Sequence, residues 1–132
     1  MKILLDTNIL LWVAGSPEKI PENILNQIQD TQNTLFFSAA SIWEIAIKHA
    51  LGKPDFFFAP LTIYQALVEN NYIELSISSN HAIATKHLPQ IHKDPFDRLL
   101  IAQAMTENML LITADQTITR YSAPVLFVNG GN

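Results

Sequence analysis

The chain contains no cysteine. That excludes disulfides, a thiolate metal site and a cysteine nucleophile, and it fits a reducing cytoplasm. No apolar run approaches the roughly 20 residues that span a bilayer. Met1-Lys2-Ile3-Leu4-Leu5 reaches Asp6 too soon for the apolar region of a signal peptide. The expectation is a soluble cytoplasmic protein with no membrane partner. No Gly-rich phosphate loop occurs, which argues against nucleoside triphosphate binding. Positive charge is scarce too. Eight Lys and Arg against twelve Asp and Glu give a net charge of −4. That argues against a generic basic nucleic-acid coat. It leaves room for an enzyme whose metal ions carry the positive charge.

What is present is apolar. Of the 132 residues, 48% are hydrophobic and only 15% charged. That is a globular composition with an apolar surplus, enough for one domain over 1–132 with a real core. The surplus also suggests that some apolar surface goes to a partner.

Short apolar runs alternate with helical patterns throughout. Lys2–Leu5 reads as a strand buried on both faces, ended by Asp6-Thr7-Asn8. Further strands are expected at Thr34–Phe37, Tyr72–Ile77, Met109–Thr113 and Val125–Val128, with a loose Gly130-Gly131-Asn132 tail. Helices are expected from Ile9 to the Gly15-Ser16-Pro17 break, and from Pro21, in the first helical position, to about Gln32. Others run over Ala39–Leu51 with Ser38 as N-cap and Gly52 as stop, Leu61–Asn70, Ser79–His87 and Asp94 to Asn108. Asp115–Tyr121 fits one or two helical turns, and Asp55–Phe58 fits either an extended or an irregular path. The alternation implies an α/β three-layer sandwich around a central, mainly parallel five-stranded sheet. Right-handed crossovers would align the strand carboxyl ends along one edge.

Four acids fall where such a fold places ligands. Asp6 closes the first strand, and Asp115 follows the fourth by two residues. Asp97 lies in the first turn of the helix feeding that strand. Glu44 sits among apolar residues in Ser41-Ile42-Trp43-Glu44-Ile45-Ala46-Ile47. Each has a plainer reading. Asp97 fits the last position of a capping box opened by Asp94, Asp6 and Asp115 fit helix caps, and Glu44 fits a surface pair with Lys48. Together, four convergent carboxylates cannot all stay ionised in a dry cleft without a cation. Mg²⁺ or Mn²⁺, hard ions that prefer oxygen ligands, would resolve the conflict and support phosphoryl transfer without a covalent protein intermediate.

Leu4-Leu5-Asp6-Thr7-Asn8, Ser38-Ala39-Ala40-Ser41-Ile42-Trp43-Glu44-Ile45, Asp94-Pro95-Phe96-Asp97-Arg98-Leu99-Leu100-Ile101-Ala102-Gln103-Ala104 and Leu111-Ile112-Thr113-Ala114-Asp115 together resemble the PIN-domain family. Within it they resemble the VapC-type toxins of type II toxin–antitoxin pairs. The resemblance implies that Asp6, Glu44, Asp97 and Asp115 form an acidic quartet around Mg²⁺ or Mn²⁺. Asp6 and Asp97 would be direct ligands, Glu44 and Asp115 direct or water-mediated. It makes Thr7, Asn8 and Thr113 supporting groups that position carboxylates or water, and it leaves Asp94 as the helix cap. It implies an endoribonuclease, an RNA substrate, a VapB-like antitoxin partner and a homodimer. The alternatives are a PIN-like RNA-processing nuclease outside a toxin pair, and a non-catalytic interaction module. A phosphatase using Asp6 as nucleophile would want a second Asp two residues on, where Asn8 stands.

Arg98, directly after Asp97, and Lys48 are candidate phosphate contacts for RNA. Trp12, Trp43 and Phe96 could stack on bases, though core packing is the plainer expectation. The four histidines show no metal-ligand spacing, and no chemistry is assigned to them.

Overall fold

In the computed structural model, which describes residues 1–127, Lys2–Leu5 forms β1, the middle strand of a five-stranded sheet. Ile3, Leu4 and Leu5 are fully buried. A strand covered on both faces needs apolar side chains at successive positions, and this run supplies them. Ile3 and Leu5 point into one core cluster and Leu4 into the other. The sheet is therefore the middle of three layers.

The remaining strands are β2 (Thr34–Ser38), β3 (Ile73–Leu75), β4 (Leu110–Thr113) and β5 (Val125–Phe127). Their order is β3-β2-β1-β4-β5, and every ladder is parallel. The expected extension of β5 to Val128 and the Gly130–Asn132 tail lie outside the described residues. From β1 the chain steps outward through β2 and β3, then returns to the other side of β1 with β4. This reversal opens a crevice at the carboxyl ends of β1 and β4. Leu5 pairs with Ile112 across it, and the next amide, Asp6 N, donates to the Ile112 carbonyl at 3.0 Å.

Helices α1 (Thr7–Gly15), α2 (Glu22–Gln29), α3 (Ala39–Ala50) and α4 (Pro60–Glu69) cover one face, contributing Ile9, Leu10, Ile24, Ile45, Ile63 and Leu67. Helices α5 (Ser79–Ala84) and α6 (Pro95–Glu107) lie against the other, where Leu100, Ile101 and Ala104 of α6 pack with Leu88, Ile118 and Tyr121. Full burial of each such Leu or Ile stabilises by about 1.5–3 kcal/mol. No helix among the described residues is long and apolar enough to cross a membrane.

Departures from the sequence expectation are local. Helix α2 stops at Gln29 because the Asp30 carboxylate accepts from Gln32 N at 2.9 Å, which turns the chain. Pro21 is the N-cap of α2, one position before the expected one; its carbonyl accepts from Ile24 and Leu25. Strand β3 is shorter than expected, without Tyr72, Ser76 and Ile77. The Ser79–His87 segment is α5 followed by a 3-10 turn over Thr85–His87. Asp55–Phe58 is irregular. Phe56 is buried there, and Phe58 lies so close to Gly15 that a Cβ at that glycine would overlap the ring.

Candidate active site

The crevice between β1 and β4 gathers all four carboxylates into one cleft of about 330 Å³, lined also by Asn8, Lys48, His92 and Asp94. At roughly 30 Å³ per water, a cleft of that size has room for a hydrated cation.

Asp6 directly follows β1 and caps α1. Its Oδ1 accepts from Thr7 N and its Oδ2 from Thr113 Oγ1, both at 2.6 Å. It is almost fully buried, at 3% exposure. Burial pushes its carboxyl up to about 6, against the lowering effect of the Thr113 and Thr7 hydrogen bonds. The charges of Glu44 and Asp115 add to the rise. Asp6 thus caps α1 and lines the cleft at the same time.

Glu44 projects from α3, whose start is fixed by Ser38 Oγ accepting from Ala40 N. It is buried, so the solvated-face alternative fails even though the Lys48 pair exists. Glu44 Oε2 accepts from Lys48 Nζ at 2.6 Å, and Oε1 from Thr7 Oγ1 at 2.7 Å. Thr7 Oγ1 also lies 2.9 Å from Ser41 Oγ. One hydroxyl hydrogen serves one acceptor, so the carboxylate takes it and Ser41 donates to Thr7. Lys48 sits over the Phe56 ring at 5.1 Å. Burial pulls its ammonium down, but the bond and charge of Glu44, with Asp94 and Asp97 nearby, outweigh that and raise it.

Asp97 occupies the first turn of α6, where the helix dipole favours an anion. Asp94 is the N-cap and accepts from Phe96 N at 2.8 Å. The expected capping box does not close. The Asp94 amide donates to His92 Nδ1 at 3.1 Å instead, which leaves Asp97 facing the cleft. Burial pushes the Asp97 carboxyl up to about 8, and the charges of Asp6, Asp94, Glu44 and Asp115 push the same way. Asp115 follows β4. Its Oδ1 accepts from Thr117 N at 2.9 Å and starts a 3-10 turn over Gln116–Arg120. Its amide donates to Thr113 Oγ1 at 3.0 Å, so one threonine hydroxyl ties Asp115 to Asp6.

Arg98 does not reach this cleft. Its guanidinium donates to the carbonyls of Pro89 and Thr85, each at 2.9 Å. Successive helix residues point about 100° apart, so Asp97 and Arg98 cannot share one face. The fork of donors instead adds a second bond to carbonyls that already accept from Leu88 N and Ile91 N, and so ties down the loop after the Thr85–His87 turn. For Trp43 the core-packing expectation fails. Trp43 is 59% exposed and stacks edge-on against Phe96 at 5.2 Å, whereas Trp12 sits at the core margin.

One site residue escaped the sequence reading. His92 Nε2 lies 2.7 Å from Asp115 Oδ2 and 3.1 Å from Asp97 Oδ2. A ring nitrogen of His92 and one oxygen of each aspartate lie within 4.8 Å of one another. The one available signal was its place two residues before the α6 N-cap.

The sequence pattern of the PIN domain matches residues 3–124. A comparison with curated protein sequences returns no match. Among solved structures, the fold is similar to VapBC2 from Rickettsia felis bound to a DNA fragment from their promoter. That match has a TM-score of 0.73, 15% identity, and coverage of 97% of this chain and 99% of the other. It is also similar to VapBC-1 from nontypeable Haemophilus influenzae, with a TM-score of 0.61, 20% identity and coverage of 96% and 98%. A toxin–antitoxin complex from Klebsiella pneumoniae gives 0.62, 18%, 94% and 95%. On a pattern match that spans nearly its whole length, the chain belongs to the PIN-domain family.

Proposed function

We propose that this protein, read as a single PIN domain over 1–132, is a divalent-metal-dependent endoribonuclease and the VapC-type toxin of a type II toxin–antitoxin pair. The observation that carries the chemistry is the convergence of four carboxylates at one crevice, two of them held well above the usual range. Buried acids that resist ionising hold their protons, but they become good ligands once a hard cation offsets their repulsion.

The donor set fits Mg²⁺ or Mn²⁺, since it is rich in carboxylate oxygen and contains no sulfur. Asp97 and Asp6 would hold the ion, with Glu44 and Asp115 contributing directly or through water. When bound, such an ion offsets the charge of the scissile phosphate and makes water a better nucleophile. The chain's own groups do the rest. Thr113 and Thr7 orient Asp6, Thr7 and Lys48 orient Glu44, and Asn8 lines the entrance. Lys48, on the rim, is the cation placed to meet an RNA phosphate.

Two observations support the toxin assignment and an antitoxin partner. One is the likeness to chains whose structures were solved as VapBC complexes. The other is a large apolar groove away from the carboxylates, lined by Val13, Ile20, Leu25, Ile28 and Tyr72. A homodimer and cytoplasmic action complete the proposal.

The test is RNA cleavage by purified protein with Mg²⁺ or Mn²⁺, for wild type, Asp6→Asn and Asp97→Asn. A misplacement of about 1 Å at a reacting centre costs about 10²-fold. Loss of either carboxylate should therefore cost at least that much while the far-ultraviolet circular dichroism is retained. Cleavage by both variants at the wild-type rate would refute the reading.

A further inference from the structure

We propose that His92 is a positioning residue for this site, the N–H donor that holds Asp97 and Asp115 together as a pair; the proposal rests on the nuclease reading above. The ring's tautomer follows from its neighbours. Nδ1 accepts the backbone N–H of Asp94 at 3.1 Å, so the ring proton is on Nε2. That Nε2–H lies between two carboxylate oxygens, Asp115 Oδ2 at 2.7 Å and Asp97 Oδ2 at 3.1 Å. The two acids come from elements remote in sequence, the first turn of α6 and the residue after β4's exit. In this arrangement the ring presents a hydrogen, not a lone pair, and so acts through the carboxylates and not as a ligand.

The ring is itself held in place. His92 N donates to Tyr121 Oη at 2.7 Å, and Tyr121 Oη donates to the Pro89 carbonyl at 3.2 Å. Arg98 grips the same loop through the Pro89 and Thr85 carbonyls. The loop from Thr85 to Asp94 is therefore a bracket whose tip is an imidazole N–H. Without that donor nothing would bridge the two oxygens, and the side chains would be free to swing apart once both are ionised.

Asparagine and glutamine separate the ring's two jobs. In His92→Asn the side-chain oxygen can still accept the Asp94 amide as an Asx turn, but the side chain is too short to reach the carboxylates. In His92→Gln the amide N–H reaches close to the Nε2 position. The measurements are calorimetric Mn²⁺ affinity of the RNA-free protein, and kcat and KM for a model RNA. Groups that orient metal-binding side chains typically contribute 10–100-fold to metal affinity or activity. His92→Asn should weaken Mn²⁺ binding and lower kcat by about that factor, with KM for RNA little changed, and His92→Gln should recover most of both. Wild-type Mn²⁺ affinity and kcat in His92→Asn would overturn the proposal. So would a His92→Gln protein no better than His92→Asn. If His92→Asn does not fold, His92→Gln decides alone, since a folded His92→Gln with the full loss refutes the N–H role. Asp97→Asn run in parallel keeps the two readings apart. If it and Asp6→Asn both cleave like wild type, the nuclease reading fails; if they are dead while His92→Asn is unaffected, only the positioning role fails.

Discussion

The two halves of the carboxylate cleft are held by different means. In the inner half, Asp6 and Glu44 are buried, and each of their four oxygens accepts a hydrogen bond from the scaffold around them. In the outer half, Asp97 and Asp115 are half-buried and meet at the ring of His92, on a loop. The inner pair is built from the ends and faces of regular elements, a strand exit and a helix turn. The outer pair depends on a bracket of loop, tyrosine and arginine. Rigid elements set where charge is stored, and the loop sets how two of those charges face each other.

Four changes sharpen this contrast, in falling order of effect. Arg98→Met removes a charged donor from the bracket. Hydrogen bonds to charged groups are worth about 1.5–3 kcal/mol, and chemical denaturation should report a loss in that range. The salt dependence of RNA binding should stay as in wild type. Lys48→Met leaves the buried Glu44 Oε2 without its donor, so about 1–3 kcal/mol of stability should go, and it should also flatten the log-affinity against log-salt slope by about 0.7, the value of one phosphate contact on single-stranded RNA.

Thr113→Val tests the inner half. It leaves Asp6 Oδ2 without its donor and Asp115 N without its acceptor, and a buried unsatisfied group costs about 1–3 kcal/mol. It should also push the Asp6 carboxyl further up, because a hydrogen bond that lowers it is gone. Asp94→Ala is the mildest. It removes a helix cap, so about 0.5–2 kcal/mol of stability should go, with cleavage by the folded fraction retained. A loss of cleavage larger than that of His92→Asn would place Asp94 in the chemistry and not in the cap.

The same contrast explains what could be read from the sequence. Lys2–Leu5 was legible as a strand buried on both faces because its apolar run does not alternate, Met109–Thr113 was legible as a strand, and the acids that follow them mark the carboxyl edge. Asp94-Pro95 announced the start of α6 with equal clarity. Glu44 was ambiguous because Lys48, one turn on, fits either a surface pair or a buried one. Only the packing of Phe56 and Thr7 around them decides. His92 and Arg98 were illegible for one shared reason. Their roles are set by where the Thr85–Asp94 loop folds back, and no periodicity encodes that.

The central claim is that Asp6 and Asp97 are kept from ionising until a hard cation joins them. Thermal unfolding of chelator-treated protein across pH, with and without Mg²⁺, tests it most directly. Asp6 and Asp97 rise in the folded state to about 6 and about 8 from an ordinary 3.8. The folded state therefore holds those protons while the unfolded chain releases them. Stability must fall as pH climbs from about 4 to about 8, by up to about 1.4 kcal/mol per unit for each group. Added Mg²⁺ should restore stability, with a larger gain at pH 8 than at pH 5, and Asp97→Asn should flatten both responses. A metal-free protein whose stability is level over this range, and which gains nothing from Mg²⁺, would contradict the account.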